Sequence, residues 1–311
     1  MSELTGISQR PALISLIFIL LTAALGFMII GPALGFFIAM PFYEGSIFDL
    51  AQKISNPTAH PEIRLPILII QGCGTFFGLI VIPTLYLIGI EKQNPIEWIK
   101  SKPHSLLILL VVAILTITFF APNSIFIEWN ADFVFPEFLK DFGAWARERE
   151  NLAEKLTKFF VTFETNTDFL IGLVVIAFFP AIGEELVFRG MIQPELFRAS
   201  GNHHVAIWVS AIIFSAFHMQ FFGFLPRMLL GALFGYLYVW SGNLFLSMFA
   251  HFVNNGFSVL MMYLYQRGVI TVDMESPEAA PWPAVLIATT VFVALLYYFK
   301  NYHQTSNQPS A

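Results

Sequence analysis

Long uninterrupted runs of apolar residues constrain this chain more than any other feature. Residues 12–40 contain no charged side chain, and similar runs of about 20 residues recur along the sequence. In the hydrocarbon core of a bilayer, only helices and closed barrels satisfy every backbone hydrogen bond. The chain is 57% hydrophobic and 12% charged, about half of the charged fraction usual in soluble domains. The sequence therefore predicts a polytopic membrane protein built from helices.

The apolar runs predict an all-α transmembrane bundle with about eight spans. The first run is too long for the apolar core of a secretory signal, so we interpret it as a retained span. Small residues four apart favour close helix contacts in lipid, although glycine is also common in membrane helices. Such pairs are Gly74/Gly78 and Gly231/Gly235. The predicted spans are residues 12–40, 65–90, 105–121, 168–190, 204–222, 224–240, 243–265 and 283–299.

Composition divides the chain into four regions. Residues 1–121 are expected to hold three spans, and residues 167–265 a core of four more. Between them, residues 122–166 form the one sizeable polar segment, in which apolar residues recur at helical spacing opposite a charged face. This pattern is typical of a helix at the membrane surface, which either walls a substrate entrance or only connects two spans. Residues 266–311 are expected to hold a loop, the last span and a disordered tail after Phe299. The apolar positions of the surface helix are Phe138, Phe142, Trp145, Leu152, Leu156, Phe159 and Phe163.

Ionisable groups inside the predicted spans concentrate in the second half of the chain. Charged groups at membrane depth are costly and usually face a cavity or one another, so they are functional candidates. They fall in three motifs, GEELVFRG (Glu184, Glu185, Phe188, Arg189), FSAFHMQ (Phe214, His218) and AHFVNNG (His251, Asn255).

Helical geometry separates the two adjacent glutamates. Glu185 and Arg189 lie four residues apart with the acid first, which favours an ion pair that neutralises both groups. Glu184 points about 100° away and shares its face with Phe188. A carboxylate that is unpaired and poorly solvated is a better base than one in water. We therefore predict a structural Glu185–Arg189 pair and a reactive Glu184, with two salt-bridged carboxylates that lock the bundle as the alternative.

Two turns are expected to bring both histidines to the level of Glu184. Glu184 lies 17 residues before Gly201 in the turn 200–202, and His218 lies 17 residues after it. If the flanking helices run antiparallel, the two residues share one depth. His251 lies nine residues beyond Gly242, which corresponds to roughly 13 Å along a helix.

Each histidine has a companion four residues away on the same helical face. His251 and Asn255 can face one cavity, and the ring of Phe214 can orient the imidazole of His218. Arg189 is expected to mark the membrane surface. These positions predict a polar cavity at one depth inside the membrane.

The three motifs together resemble those of the CAAX-prenyl-protease and bacteriocin-processing (Abi-type) family of intramembrane proteases. The motifs read EELVFR, FSAFH and HFVNN, on successive membrane helices, and the resemblance covers about residues 167–257. Each motif alone is weak, but their joint order and spacing are specific. The resemblance implies that the chain is a hydrolase, an endopeptidase that cleaves within the membrane by a glutamate-activated water.

The roles that the resemblance implies can be assigned to this chain. Glu184 with His218 would activate the water, and His251 with Asn255 would stabilise the oxyanion. The structural positions would then be Glu185, Phe188, Arg189 and Phe214. The expected partners are a peptide or lipidated protein substrate and membrane lipid, and recognition of a prenyl group does not follow from the motifs.

A metal is the alternative to a cofactor-free mechanism. Glu184, His218 and His251 could bind zinc and leave one position open for water. However, the HExxH pattern is absent, and the single cysteine, Cys73, excludes both an internal disulfide and a cysteine-based zinc cluster. We therefore expect no cofactor, with zinc as the alternative.

Two other functional classes compete with the protease. A non-catalytic immunity or scaffold protein would use the polar cluster only for stability. A proton-coupled transporter also places Glu and His in the membrane, but the polar residues here occupy one half of the chain without a matching half. The net charge of −5 and the lack of a basic run argue against nucleic-acid binding.

Basic residues are the guide to orientation in the sequence. With the N-terminus inside, seven of the 16 Lys and Arg residues fall on the inner side and nine on the outer side, five of them in residues 122–166. The positive-inside rule favours this orientation only if those five are discounted. We expect a protein of the plasma (inner) membrane with the N-terminus inside and the active site toward the cytoplasm.

Overall fold

A computed structural model describes residues 10–99, 105–271 and 277–306, and it confirms the all-α membrane bundle. In these ranges no residue forms a β-strand, and six helices are long and apolar enough to cross a membrane. The two shorter helices His203–Phe217 and Phe224–Ser241 complete the eight expected membrane elements. The helices are α1 Ala12–Phe42, α2 Ile47–Ile54, α3 Pro61–Glu91, α4 Pro95–Ile99, α5 Leu106–Ala131, α6 Lys140–Phe160, α7 Asn166–Ser200, α8 His203–Phe217, α9 Phe224–Ser241, α10 Leu244–Gln266 and α11 Trp282–Ser306.

Four wide π-helical segments in the long helices lie directly before prolines. The segments Gly26–Ile30, Phe76–Val81, Leu173–Phe178 and Leu186–Ile192 each end two residues before a proline. Proline cannot donate to the carbonyl four residues earlier and its ring crowds that carbonyl, so the preceding turn widens. The helices therefore continue through their prolines, and carbonyls inside these wide turns become available to other partners.

The glycine pairs mark two close helix contacts. A Cβ on Gly78 would lie 2.4 Å from the backbone of Phe27, so only glycine allows α1 and α3 to approach this closely. A Cβ on Gly235 would lie 2.8 Å from the side-chain oxygen of Gln193 in α7. Both contacts confirm that the small residues serve helix packing here.

The same three residues, Ser-Gly-Asn, form the two tight turns that the sequence analysis used as depth markers. Gly201 and Gly242 have φ values of +65° and +66°, a conformation that glycine adopts without strain. Asn202 and Asn243 then cap the next helices through side-chain oxygens that accept backbone N–H bonds of 2.8 Å. These turns hold α7 against α8 and α9 against α10.

Contacts at the two ends of the bundle define its two sides. At one end Arg10, just before α1, pairs with Glu91 at the end of α3 at 2.7 Å. At the other end Arg64 near the start of α3 lies 3.4 Å from Asp168 near the start of α7. Gln266, at the end of α10, donates to a backbone carbonyl just past α6. We call the first end the N-terminal side and the second end the α6 side.

The segment predicted to hold a surface helix forms helix α6, and the polar face of this helix is not simply solvated. Glu150 accepts hydrogen bonds of 3.2 Å from the side-chain amide of Gln220 and from the backbone N–H of Phe222. The guanidinium of Arg147 stacks on the ring of Phe222 at 3.5 Å. The helix ends three residues before Phe163, which is buried rather than part of the exposed apolar face. The polar face therefore docks on the bundle, and several apolar residues of α6 remain exposed toward the surroundings.

Three predicted boundaries were wrong. The third span continues as a helix through Pro122 to Ala131, because a proline in a long apolar helix widens it without ending it. Helix α8 ends at Phe217 rather than at residue 222. The tail predicted to be disordered is helical as far as Ser306, while residues 307–311 lie outside the described residues.

Candidate active site

The GEELVFRG motif lies in the middle of α7, at the start of a π-helical segment. The segment Leu186–Ile192 begins directly after Glu185, and such wide turns often occur at functional sites. The side chain of Glu185 is 0% exposed, whereas that of Glu184 is 16% exposed. The two adjacent carboxylates therefore face different surroundings, as the helical geometry predicted.

Glu185 makes the predicted ion pair and also a second contact that the sequence did not indicate. Its Oε1 accepts a hydrogen bond of 2.8 Å from Nη1 of Arg189. The same oxygen lies 2.8 Å from Nδ1 of His251 on α10. The other guanidinium nitrogen, Nη2, donates to the carbonyl of Gly231 on α9 at 2.8 Å. The Glu185–Arg189 pair therefore connects three helices, and Glu185 orients one of the predicted catalytic histidines.

Arg189 does not mark the membrane surface as predicted. Its side chain is only 1% exposed, and its guanidinium lies 4.7 Å from the ring of Phe214 and 5.5 Å from that of Phe234. Aromatic faces and the carboxylate of Glu185 provide the charge compensation that lipid headgroups would otherwise supply. Arg189 is thus an internal anchor of the bundle.

The imidazole of His251 lies between the two glutamates. Its Nδ1 contacts Glu185, and its Nε2 lies 3.8 Å from Oε2 of Glu184. The ring also stacks on Phe234, with 5.1 Å between centroids and 23° between planes. Because a carboxylate accepts hydrogen bonds, Nδ1 carries the proton that faces Glu185, and Nε2 is directed toward Glu184.

His218, just past the end of α8, is held by its neighbour Phe214. Its Nδ1 lies 3.0 Å from the carbonyl oxygen of Phe214, which can only accept, so Nδ1 carries a proton. In the neutral imidazole Nε2 is then an acceptor. The ring of Phe214 meets the ring of His218 edge-on at 5.2 Å and that of His251 at 6.2 Å. Phe214 therefore forms a wall that both histidines share.

Asn255 is fixed by a carbonyl that a proline makes available. Its Nδ2 donates to the carbonyl of Ile176 at 3.1 Å, and its Oδ1 accepts from Nδ2 of Asn254 at 3.0 Å. Ile176 lies four residues before Pro180, which cannot donate to that carbonyl. The amide group of Asn255 has two hydrogens, so one of them remains for another acceptor. The neighbouring Asn254 thereby orients Asn255.

Two cavities adjoin the site on the α6 side. The larger has a volume of about 540 Å³ and lies between α5, α6 and α9, with Asn254 in its wall. The second, of about 480 Å³, is lined by α6, Ile176 and Asn255. Arg227 lines both. Helix α6 is a wall of both cavities.

The alternative zinc ligands do not form a compact group in the structure. Across residues 10–99, 105–271 and 277–306, no three His, Cys, Asp or Glu side chains are grouped closely enough to hold a metal ion. In the set of Glu184, His218 and His251, Nδ1 of each histidine has another contact, to Glu185 or to a backbone carbonyl, which leaves Nε2 as the nitrogen that could bind a metal.

Two features of the site were not predicted from the sequence. The contact between Glu185 and His251 joins residues 66 positions apart on different helices, and no local pattern could indicate it. Arg227 had a recognisable signal, because it is an ionisable residue at the start of an apolar run. From the sequence alone, Arg227 was counted only among the basic residues that indicate membrane orientation.

Comparison with known proteins identifies the family of this segment. Residues 166–257 match the family described as type II CAAX prenyl endopeptidase Rce1-like. The chain is 34% identical over 77 residues to the uncharacterized protein YpbD of Bacillus subtilis, which is 24% of this chain and 36% of that protein. It is 39% identical over 87 residues to the membrane-embedded CAAX protease MroQ of Staphylococcus aureus, which is 26% of this chain and 35% of that protein.

These similarities are confined to part of each molecule. The matched segments span about a third of the length of either relative, and no solved structure matches the chain. Residues 166–257 nevertheless carry all three motifs, and this segment matches the Rce1-like CAAX endopeptidase family. The family resemblance drawn from the motifs is thus confirmed, and the chain is an integral membrane protein.

Proposed function

We propose that this protein is an intramembrane endopeptidase that hydrolyses a peptide bond of a membrane-associated or lipidated substrate, with Glu184 as the base. The observation that carries the proposal is the position of His251. Its Nε2 is 3.8 Å from the accessible Glu184, and its Nδ1 is 2.8 Å from the buried Glu185. Glu184 is thus partly accessible while the buried Glu185 orients the imidazole, which is a functional division that packing alone does not require.

In the proposed reaction, a water bound to Oε2 of Glu184 attacks the carbonyl carbon of the scissile peptide. Glu184 accepts one proton of that water as the new C–O bond forms. His218 assists through Nε2, the acceptor nitrogen of its neutral ring, which can hold the same water. Glu184 then returns the proton to the leaving amide nitrogen as the C–N bond breaks, so that a carboxylic acid and an amine are released.

Negative charge on the carbonyl oxygen is proposed to be stabilised by Asn255 and His251. Asn255 offers the Nδ2 hydrogen that it does not use for Ile176. Neutral His251 cannot donate from Nε2, because its proton is on Nδ1, so its contribution requires the imidazolium form. The buried carboxylate of Glu185 stabilises this cation, as the aspartate of a catalytic triad does. No metal is proposed, since the described side chains do not form a ligand set.

A cleavage assay in lipid tests the proposal. The purified full chain in proteoliposomes is incubated with a farnesylated peptide and its unfarnesylated counterpart, with and without a strong chelator. We expect one internal peptide bond to be cut, with the products mapped by mass spectrometry and the rate unchanged by the chelator. Loss of cleavage with chelator and its return on adding zinc would contradict the metal-free mechanism. Ion-dependent flux into the vesicles without peptide products would favour a transporter instead.

We further propose that the protein lies in the plasma (inner) membrane with its active site toward the cytoplasm. Both cavities are lined by residues of α6, on the side opposite to the N-terminal side. An N-terminus inside and a cytoplasmic site therefore cannot both hold. Of the 16 Lys and Arg residues, eight lie on the α6 side by sequence position and six on the N-terminal side. The other two, Arg189 and Arg227, lie within the bundle. The positive-inside rule then supports a cytoplasmic α6 side with the N-terminus outside.

Labelling of single cysteines checks this orientation. In a Cys73→Ser background, Lys155→Cys on α6 and Gln304→Cys at the end of α11 place exposed thiols on opposite sides. We expect a membrane-impermeant maleimide to label Gln304→Cys in intact cells and Lys155→Cys only in inverted vesicles. The reverse pattern would contradict the proposed orientation.

A further inference from the structure

A guanidinium with an unused donor lies where the two cavities meet. Arg227, the fourth residue of α9, is partly buried and lines both cavities. Its Nη2 donates to Oε1 of Gln220 at 2.9 Å. Its Nη1 is shielded from solvent and has no hydrogen-bond partner among the residues that the structure describes. An unsatisfied donor that is shielded from water is costly, so its retention at a cavity points to a ligand.

The guanidinium is held in one position. Gln220, its partner, donates its own amide hydrogen to Glu150 on α6 at 3.2 Å. A Cβ at Gly223 would lie 2.7 Å from Nη2 of Arg227, so the glycine makes room for the cation. Arg227 is therefore a fixed donor between α6 and α9, rather than a side chain that can withdraw to find another partner.

The nearby acidic groups already have other partners. Glu150 is bonded to Gln220 and to the backbone of Phe222, and Glu154 pairs with Lys158 at 2.6 Å. Arg227 also lines the smaller cavity together with Asn255, one of the predicted catalytic residues. A cation near the reacting groups that lacks a bonded counter-ion favours an anionic ligand.

The rest of the larger cavity is suited to apolar side chains. Phe119, Phe120, Ile127 and Leu230 line its wall beside Arg227. A ligand that satisfies the whole cavity therefore combines aliphatic or aromatic side chains with one anionic oxygen. The planar donors of an arginine suit a carboxylate in particular.

We propose that Arg227 binds a carboxylate of the peptide substrate and thereby positions its apolar end in the larger cavity. The inference rests on the proposed function, because it assumes that the site takes a peptide. Two sources offer this chemistry, the C-terminal carboxylate of the substrate and an acidic side chain near the scissile bond. Arg227 would be a positioning residue that selects substrates, and it would not take part in proton transfer.

Peptide binding without turnover tests the proposal. The parent protein is the full chain with Glu184→Gln in lipid nanodiscs, and the probes are three fluorescent farnesylated peptides. The first peptide ends in farnesylated cysteine, valine, isoleucine and methionine with a free C-terminal carboxylate. The second has the same sequence with a C-terminal amide. The third is also an amide and has glutamate in place of the methionine. We expect the parent to bind the acid about 10- to 100-fold more tightly than the amide, as for one hydrogen bond to a buried charge.

Arg227→Gln should remove this preference. The acid should then bind as weakly as the amide, and the affinity for the amide should stay within about twofold, while Arg227→Lys should keep part of the preference. Arg267→Gln, at an exposed arginine on the same side, is the matched control and should leave the ratio unchanged. If the glutamate peptide binds tightly to the parent and weakly to Arg227→Gln, the ligand of Arg227 is a side-chain carboxylate.

Several results would overturn the inference. They are equal affinity of the parent for acid and amide, no binding of either peptide, a ratio that survives in Arg227→Gln, or an equal loss for both peptides in that variant. Thermal unfolding of each variant shows whether the fold persists, and Arg227→Lys provides the test if Arg227→Gln does not fold. Because binding is measured without turnover, failure of the cleavage assay is a separate result from failure here.

Discussion

Replacing Glu184 by glutamine is expected to lower the rate of peptide cleavage by roughly 10²- to 10⁴-fold, the range for loss of a positioned acid–base group. The amide keeps the size of the side chain but can no longer accept a proton from water. Glu184 is 16% exposed and makes its closest polar approach to His251 at 3.8 Å, so no strong bond of the fold depends on its charge. The thermal stability should therefore change little.

Glu164→Gln is the matched control for this substitution. Glu164 is 76% exposed near the start of α7, on the α6 side, and its contact with Arg64 is 3.7 Å long. Exposed pairs of this kind contribute about 0–1 kcal/mol, so the control should cleave and unfold like the parent protein. Cleavage that persists in well-folded Glu184→Gln would contradict the assignment of the base, and would favour the scaffold or another catalytic group.

Arg189→Met is expected to destabilise the protein by about 3–5 kcal/mol, the typical cost of removing one partner from a buried ion pair. The carboxylate of Glu185 is 0% exposed and would keep only its hydrogen bond with His251. The variant also loses the hydrogen bond from Arg189 to the carbonyl of Gly231. Thermal unfolding in detergent, followed by tryptophan fluorescence, measures the loss.

The double variant Glu185→Gln with Arg189→Met separates the two functions of Glu185. Removing both charges leaves no uncompensated charge, so stability should recover in part relative to Arg189→Met. Cleavage should be lost in the double variant, because a neutral amide does not stabilise the imidazolium of His251. A double variant that cleaves at the parent rate would show that Glu185 only packs the bundle, and a double variant less stable than Arg189→Met would contradict the ion-pair account.

Local patterns in the sequence predicted much of this site. Spacing along one helix separated Glu184 from Glu185 and paired Glu185 with Arg189, because residues four apart share a face. The two Ser-Gly-Asn turns were recognised as helix junctions because glycine and asparagine there have specific conformational roles. The apolar runs similarly gave the all-α bundle and its membrane elements.

Contacts between helices could not be predicted in the same way. The second partner of Glu185 depends on how α7 and α10 are rotated against each other, which no spacing within either helix determines. The docking of α6 through Glu150 likewise depends on the loop that contains Gln220 and Phe222. The third span was predicted to end before Pro122, but it continues to Ala131, because membrane helices tolerate proline where soluble helices end.

The most direct test of the central claim is cleavage of the farnesylated peptide in water enriched in ¹⁸O, with wild type and Glu184→Gln side by side. The account predicts that the wild-type product carries one ¹⁸O atom in its new C-terminal carboxylate, and that Glu184→Gln gives almost none of this product. Equal labelled product from both proteins, or a cleaved wild-type product without the label, would contradict hydrolysis by a water that Glu184 activates.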